Sequence, residues 1–273
     1  MKICRFQPLV FPAKQITSQG PASAEARPEP RVGVIAGDAV REVSGDIFAQ
    51  WRETDRLWPL AEVKLLPPVV PSKVVCVGRN YTEHAAELGN KVPQEPLIFL
   101  KPPSAIIGPD EPIVLTPLSQ RVDFEGEITA VMGRRCSQLK PGDDVRPYLL
   151  GYTCLNDVTA RDLQRSDGQW TRAKGFDTFC PLGPVIETDL DVAKTTVETY
   201  VNGIRRQHAP ASDMIFPLGV IIQWVSRVMT LVPGDVVASG TPSGVGPLCA
   251  GDVVEIVVGG VGTLRNPVVA PEV

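Results

Sequence analysis

The sequence has no CxxC pair, no apolar run of the length a membrane helix needs, and no excess of positive charge. Its six cysteines, Cys4, Cys76, Cys136, Cys154, Cys180 and Cys249, are scattered singly with no signal peptide ahead of them. They read as isolated thiols in a reducing cytoplasm rather than as a disulfide framework. No window approaches the roughly 18 consecutive apolar residues that span a bilayer, so a protein without a membrane part is expected. A net charge of -4 offers no basic face to nucleic acid or to an anionic membrane. A small organic substrate fits better.

What the chain does have is turn chemistry. Twenty-four glycines and 27 prolines in 273 residues exceed ordinary usage and imply many short strands joined by turns, so a β-rich α+β fold with few short helices is expected. Residues 1 to 66 carry the strand-like runs "KICRF" and "RVGVIAGDAVREV", separated by "SQGPASAEARPEP", which reads as a mobile loop. "PPVVP" follows as a stiff connection, and "KVVCVG" opens a strand-and-turn pattern that continues to the C-terminus. The expected division is a small N-terminal appendage with linker over residues 1–71 and a main domain over 72–273. "NYTEHAAELG" predicts a short helix with Asn80 or Thr82 as N-cap and Gly89 as its stop. "TARD" has the spacing of a capping box. "PLGVIIQWVSRVM" places Leu218, Ile221, Ile222, Val225 and Met229 on one helix face.

Several constellations can carry chemistry. In "RVDFEGEITAVMG", Asp123, Glu125 and Glu127 recur at every second residue, which on a strand puts them on one face. They either line a solvated face or are compensated by something positive. Asp157, at the end of the apolar run "LGYTCLND", either caps a following helix or converges on the first carboxylates. Three carboxylates suit a hard divalent cation, Mg2+ or Mn2+, with Asp123 a weaker fourth candidate. His84 and Glu87, three apart, face the same way on a helix, as a general base and its orienting carboxylate or as a solvated surface pair. His208, the other histidine, reads as an exposed loop residue. Lys174 in "QWTRAKGF" has apolar and aromatic neighbours that lower its pKa if it is buried. "GTPSGVG" lacks the lysine of a phosphate loop and reads as a bend between strands.

"GRNYTEHAAE", "PLIFLKPPSAIIG", "DFEGEITAVMG", "YTCLNDVTARDLQ", "QWTRAKGFDTFCPLGP" and "ASGTPSGVGP", in this order, resemble the fumarylacetoacetate hydrolase family over about residues 72 to 265. The resemblance implies layered mixed sheets closed into a roll, and a homodimer. It implies a cation held by Glu125, Glu127 and Asp157, and a lid bearing His84 and Glu87. It further places Lys174 beside a metal-bound substrate, with Arg161, Gln164 and Thr241 within reach of it. The extra aspartate of the fumarylacetoacetate-cleaving members has no counterpart near "CVGRNYTEH". The chain instead resembles the smaller branch of acylpyruvate hydrolases, oxaloacetate decarboxylases and isomerases of aromatic-acid breakdown. The expected activity is therefore Mg2+-dependent C-C hydrolysis of an acylpyruvate-like acid or decarboxylation of an oxaloacetate-like one. Isomerisation of a 2-hydroxy-dienedioate is the alternative, and a non-catalytic carboxylate-binding paralogue the alternative of another class. Residues 1–71 carry no motif of specific resemblance.

Overall fold

A computed structural model describes residues 1–9, 29–87 and 92–271. Most of the loop expected over residues 18–30, and the helix stop Gly89, lie outside the described residues.

The alternating and β-branched runs form strands, as their patterning dictates. The largest sheet has 12 strands and mixed pairing. Its centre is Gly126–Met132, buried at every position and paired antiparallel on both sides, with Leu149–Asn156 and Val236–Ala238. Beyond Val236–Ala238, Val74–Gly78 joins in parallel and is followed by the edge strand Leu97–Lys101. On the other side, Cys180–Glu187 pairs with the N-terminal strand Lys2–Pro8, so residues of the expected appendage continue the main sheet by backbone hydrogen bonding. A five-stranded sheet contains Thr196–Val201, Ile204–Pro210, Val253–Val258 and Gly262–Val269, and a small one contains Val122–Phe124, Thr159–Ala160 and Gly246–Pro247. The chain thus has a β-rich α+β architecture. Its described helices, α1 (Thr82–Glu87), α2 (Arg161–Asp167), α3 (Thr171–Lys174) and α4 (Leu218–Val228), are short, and none can cross a membrane.

Period-2 alternation distributes the core over both faces of the central strand. Ile128, Ala130 and Met132 pack in one apolar cluster with Ile221, Ile222 and Val225 of α4, and Val131 packs in a second with Val74, Leu155 and Val236. Burial of each of these Ile, Val, Leu and Met side chains contributes roughly 1.5–3 kcal/mol.

Three local expectations need correction. The carboxylate run is not one strand: Val122–Phe124 belongs to the small sheet and Gly126–Met132 to the large one, with Glu125 at the break. Thr159 does not cap α2. It lies in a strand opposite Asp123 and donates its hydroxyl to the Asp157 carbonyl, while α2 starts at Arg161 without a side-chain cap. Asn80 does not cap α1 either; its amide donates to the carbonyls of Phe216 and Ser239 and accepts from the Phe216 N-H, tying three segments together. In each case a tertiary partner wins over the local one.

Gly126, between the two glutamates, is a packing requirement, because a Cβ there would lie 2.2 Å from Thr199 Oγ1 and 3.1 Å from Ile256 Cδ1. Gly126→Ala is expected to cost about 1–3 kcal/mol, read as a fall in Tm of roughly 3–10 °C in thermal unfolding. An unchanged Tm would show that the two sheets do not meet tightly at this residue.

Candidate metal centre and cavity

The register of Gly126–Met132 against Leu149–Asn156 pairs Gly126 with Asn156, so Glu125, Glu127 and Asp157 arrive at the same end of the sheet. The break at Glu125 is fixed by one side-chain and one backbone hydrogen bond: Asn156 Oδ1 accepts the Glu125 N-H at 2.9 Å and the Glu125 carbonyl accepts the Asp157 N-H at 2.8 Å. One oxygen from each of the three carboxylates lies within 4.8 Å of the others, and all three residues are buried. Asp123 is not in this group. Arg121 grips it at 2.8 and 3.2 Å, and Arg161 donates to it at 3.0 Å.

Three buried cations offset part of this charge. Lys174, at the end of α3, donates to Glu125 at 2.8 Å and Asp157 at 2.6 Å, and its Nζ lies 5.0 Å from the centre of the Phe99 ring. Arg161, the first residue of α2, donates to Glu125 at 2.5 Å and to Gln164 at 2.6 Å. The third is Lys101, fully buried, donating to Asp157 at 2.6 Å and to the Val158 carbonyl at 3.1 Å. Sequence reasoning missed Lys101 as a site residue. Its signal was a single charge closing the apolar run "LIFL", since a lysine is almost never fully buried without a partner.

The titration behaviour follows from these contacts. Burial alone would raise the Glu125 pKa, but Lys174 and Arg161 outweigh it and hold the carboxyl below its usual range. Burial would lower the Lys174 pKa, but Asp157 and Glu125 outweigh it, so the ammonium is held charged. This reverses the lowering expected from its apolar neighbours. Glu127 is different. Burial, then Asp157 and Glu125, push its pKa well above 4.5, and its one hydrogen bond among the described residues is from the Gly240 N-H, at 2.8 Å. A buried carboxylate with only a neutral donor is costly. A hard divalent cation among the three oxygens would remove that cost, so the donor set fits Mg2+ or Mn2+.

Glu125, Asp157, Lys174 and Arg161 line one cavity of about 570 Å3, together with His84, Glu87, Gln164 and Thr241, while Glu127 and Lys101 lie behind its wall. His84 is buried and its Nδ1 lies 3.3 Å from Glu87 Oε2. Glu87 also accepts the Gly244 N-H, and Ser243 donates to Glu83, so α1 is docked on the "GTPSGVG" turn. Thr241 donates its hydroxyl to the Gly126 carbonyl and accepts from Gln207, which commits that proton to the fold. His208 is exposed, but on the strand Ile204–Pro210 rather than in a loop, with its ring 3.4 Å from Glu198.

Residues 73–269 match the family model described as fumarylacetoacetate (FAA) hydrolase C-terminal. The chain belongs to the fumarylacetoacetate hydrolase family. Residues 25–68 match a second model, Rv2993c-like, N-terminal, so the N-terminal strands have their own relatives despite lacking a recognisable motif. The chain is 53% identical over 232 residues to protein Rv2993c of Mycobacterium tuberculosis, covering 84% of this chain and 87% of that protein. It is 43% identical over 224 residues to the mitochondrial oxaloacetate tautomerase FAHD2B of Bos taurus, covering 77% of this chain and 71% of the relative. Among solved structures, 2-hydroxyhepta-2,4-diene-1,7-dioate isomerase from Mycobacterium marinum superposes with a TM-score of 0.86 at 44% identity, covering 100% of both chains. The protein is a family enzyme of the Rv2993c-like branch with a buried acidic triad suited to a metal.

Because Glu127 is destabilised by its neighbours when no cation is present, Glu127→Gln is expected to leave the Tm of the chelated protein unchanged or a few degrees higher. The same variant should lose the rise in Tm that Mg2+ or Mn2+ gives the parent. Equal metal-induced stabilisation of parent and variant would exclude Glu127 as a ligand.

Proposed function

We propose that the protein catalyses the metal-dependent enol-keto isomerisation of a small 2-oxo acid or 2-hydroxy-dienoic acid. The observation that carries this reading is a buried imidazole sharing one cavity with two of the three clustered carboxylates, Glu125 and Asp157, and with Lys174. Burial lowers the His84 pKa from 6.5 by more than the Glu125 and Glu87 carboxylates raise it, so the ring is neutral at physiological pH. Glu87 accepts from Nδ1-H, which leaves Nε2 as the basic nitrogen.

A divalent cation held by Glu125, Glu127 and Asp157 supplies Lewis-acid polarisation of the 2-oxo group. His84 Nε2 takes the proton from the carbon next to that group and returns it to carbon in the reverse direction. Glu87 stabilises the imidazolium between the two transfers. Lys174, kept charged, has a third N-H beyond those given to Glu125 and Asp157 and opposes the negative charge that develops on the substrate oxygen. Gln164 accepts from Arg161 through Oε1, so its amide N-H groups are left to donate to the substrate carboxylate. With the Thr241 hydroxyl committed to Gly126, binding at that turn falls to backbone N-H groups.

The names of two of the more similar relatives, a tautomerase and an isomerase, favour proton transfer over the cleavage or decarboxylation that stood first on sequence. One observation supports a second reading: a third of the Glu87 side chain is in solvent, so the same dyad can activate water for C-C hydrolysis of an acylpyruvate-like acid. The homodimer implied by the family resemblance belongs to the same proposal.

The test is a Mg2+-supplemented assay of the purified chain across 2-hydroxy-dienedioates, enol-oxaloacetate, keto-oxaloacetate and acylpyruvates. Isomerisation is expected to give the highest kcat/KM, above decarboxylation and C-C cleavage. Turnover of none of them would favour a binding paralogue. His84→Ala is expected to lower kcat by roughly 10²- to 10⁴-fold. In the parent, kcat/KM should fall on acidification only below about pH 6.5, because protonation of a base with a lowered pKa begins below its ordinary value. An unchanged kcat in His84→Ala would remove the dyad from the mechanism.

A further inference from the structure

The cavity wall carries four guanidinium groups, Arg79, Arg121, Arg161 and Arg165. Two are neutralised within the protein, Arg121 by Asp123, and Arg161 by Asp123 and Glu125. The nearby Arg172 is likewise paired, with Asp167. Arg79 and Arg165 have no ion pair and no side-chain hydrogen bond among the described residues. Arg79 is held instead against the Trp170 ring, its Cζ 5.8 Å from the ring centroid. Its backbone adopts φ 60, the left-handed region that an arginine rarely occupies. Such conformations cluster where a side chain is aimed for function. Arg165 follows Arg161 by four residues on α2, so the two share a face and lie about 6 Å apart along the helix axis. Arg161 touches the carboxylate group and Arg165 is one turn further from it.

We infer that Arg79 and Arg165 form a distal anion subsite, which selects substrates carrying a second carboxylate at the end remote from the 2-oxo acid group. The inference rests on the proposed function, because it takes the reacting end of the substrate to lie at the carboxylate triad. Planar guanidinium forks match a carboxylate with paired N-H donors. The cations beside the carboxylates, Lys174 and Arg161, are engaged by Glu125 and Asp157 or Asp123, whereas Arg79 and Arg165 on the same cavity wall have charge to spare. A neutral or apolar tail would leave both arginines without a partner.

The experiment is calorimetric titration of the Mg2+-loaded full chain with two oxo acids of equal length. 2-Oxoadipate ends in a second carboxylate and 2-oxohexanoate in a methyl group. The parent is expected to bind the dicarboxylate roughly 10- to 100-fold more tightly, the span of one charge-assisted contact. Arg165→Gln alters an exposed helix residue and Arg79→Asn places a residue that tolerates the left-handed backbone, so both variants should fold. Each is expected to reduce dicarboxylate affinity at least fivefold and monocarboxylate affinity less than threefold, and the double variant should bring the two affinities together. Equal affinities in the parent, or parallel losses for both ligands in the variants, would overturn the subsite while leaving the proposed function standing. Failure of both oxo acids to bind would overturn the two together.

Discussion

The repulsion among three buried carboxylates is the constraint around which the rest of this molecule is arranged. Glu125, Glu127 and Asp157, all buried, bring oxygens within 4.8 Å of one another, where unit charges interact more strongly than in water. Lys101, Lys174 and Arg161 answer Glu125 and Asp157 directly. Glu127 feels Lys174 at longer range but makes no ion pair among the described residues. It is the member left unmatched, and a divalent ion among the three oxygens would supply the missing pair.

Holding such a cluster takes rigid backbone on every side. Gly126 sits between the glutamates, in contact with Thr199 of the five-stranded sheet. From the same sheet, Gln207 accepts from the Gly126 N-H and donates to Thr241 and to the Pro242 carbonyl, binding the carboxylate strand to the "GTPSGVG" turn. Gly240, at φ 85, gives its N-H to Glu127 in space where a Cβ would lie 2.8 Å from that of Asn80. The same turn receives α1 through Ser243 and Gly244. The segment that holds Glu127 therefore also seats the candidate base.

The sequence carried the site's composition better than its geometry. Carboxylates inside apolar runs, at Glu125, Glu127 and Asp157, were legible because burial of charge is rare enough to need a reason. The face of α4 followed from helical spacing, and Leu218, Ile221, Ile222 and Val225 are all buried, whereas Met229, expected on the same face, lies past the helix end in extended backbone. What local pattern could not supply was long-range pairing. Alternation made residues 121–133 look like one strand, although Asp123 turns to two arginines and Glu125 marks the passage between sheets. Lys174 looked like a lysine of lowered pKa because its carboxylate partners are 17 and 49 residues away. Lys101 was passed over for the same reason, its partner lying 56 residues on.

The central claim is that the carboxylate group is a cation seat whose unmatched member is Glu127. It is tested most directly by calorimetric titration of Mn2+ into the metal-free protein near neutral pH, repeated in buffers of different ionisation heat. The account predicts saturable binding of one ion per chain, with proton release that grows as the pH is lowered, because a carboxyl held above its usual range must ionise to become a ligand. Absence of saturable binding at millimolar Mn2+ would contradict it.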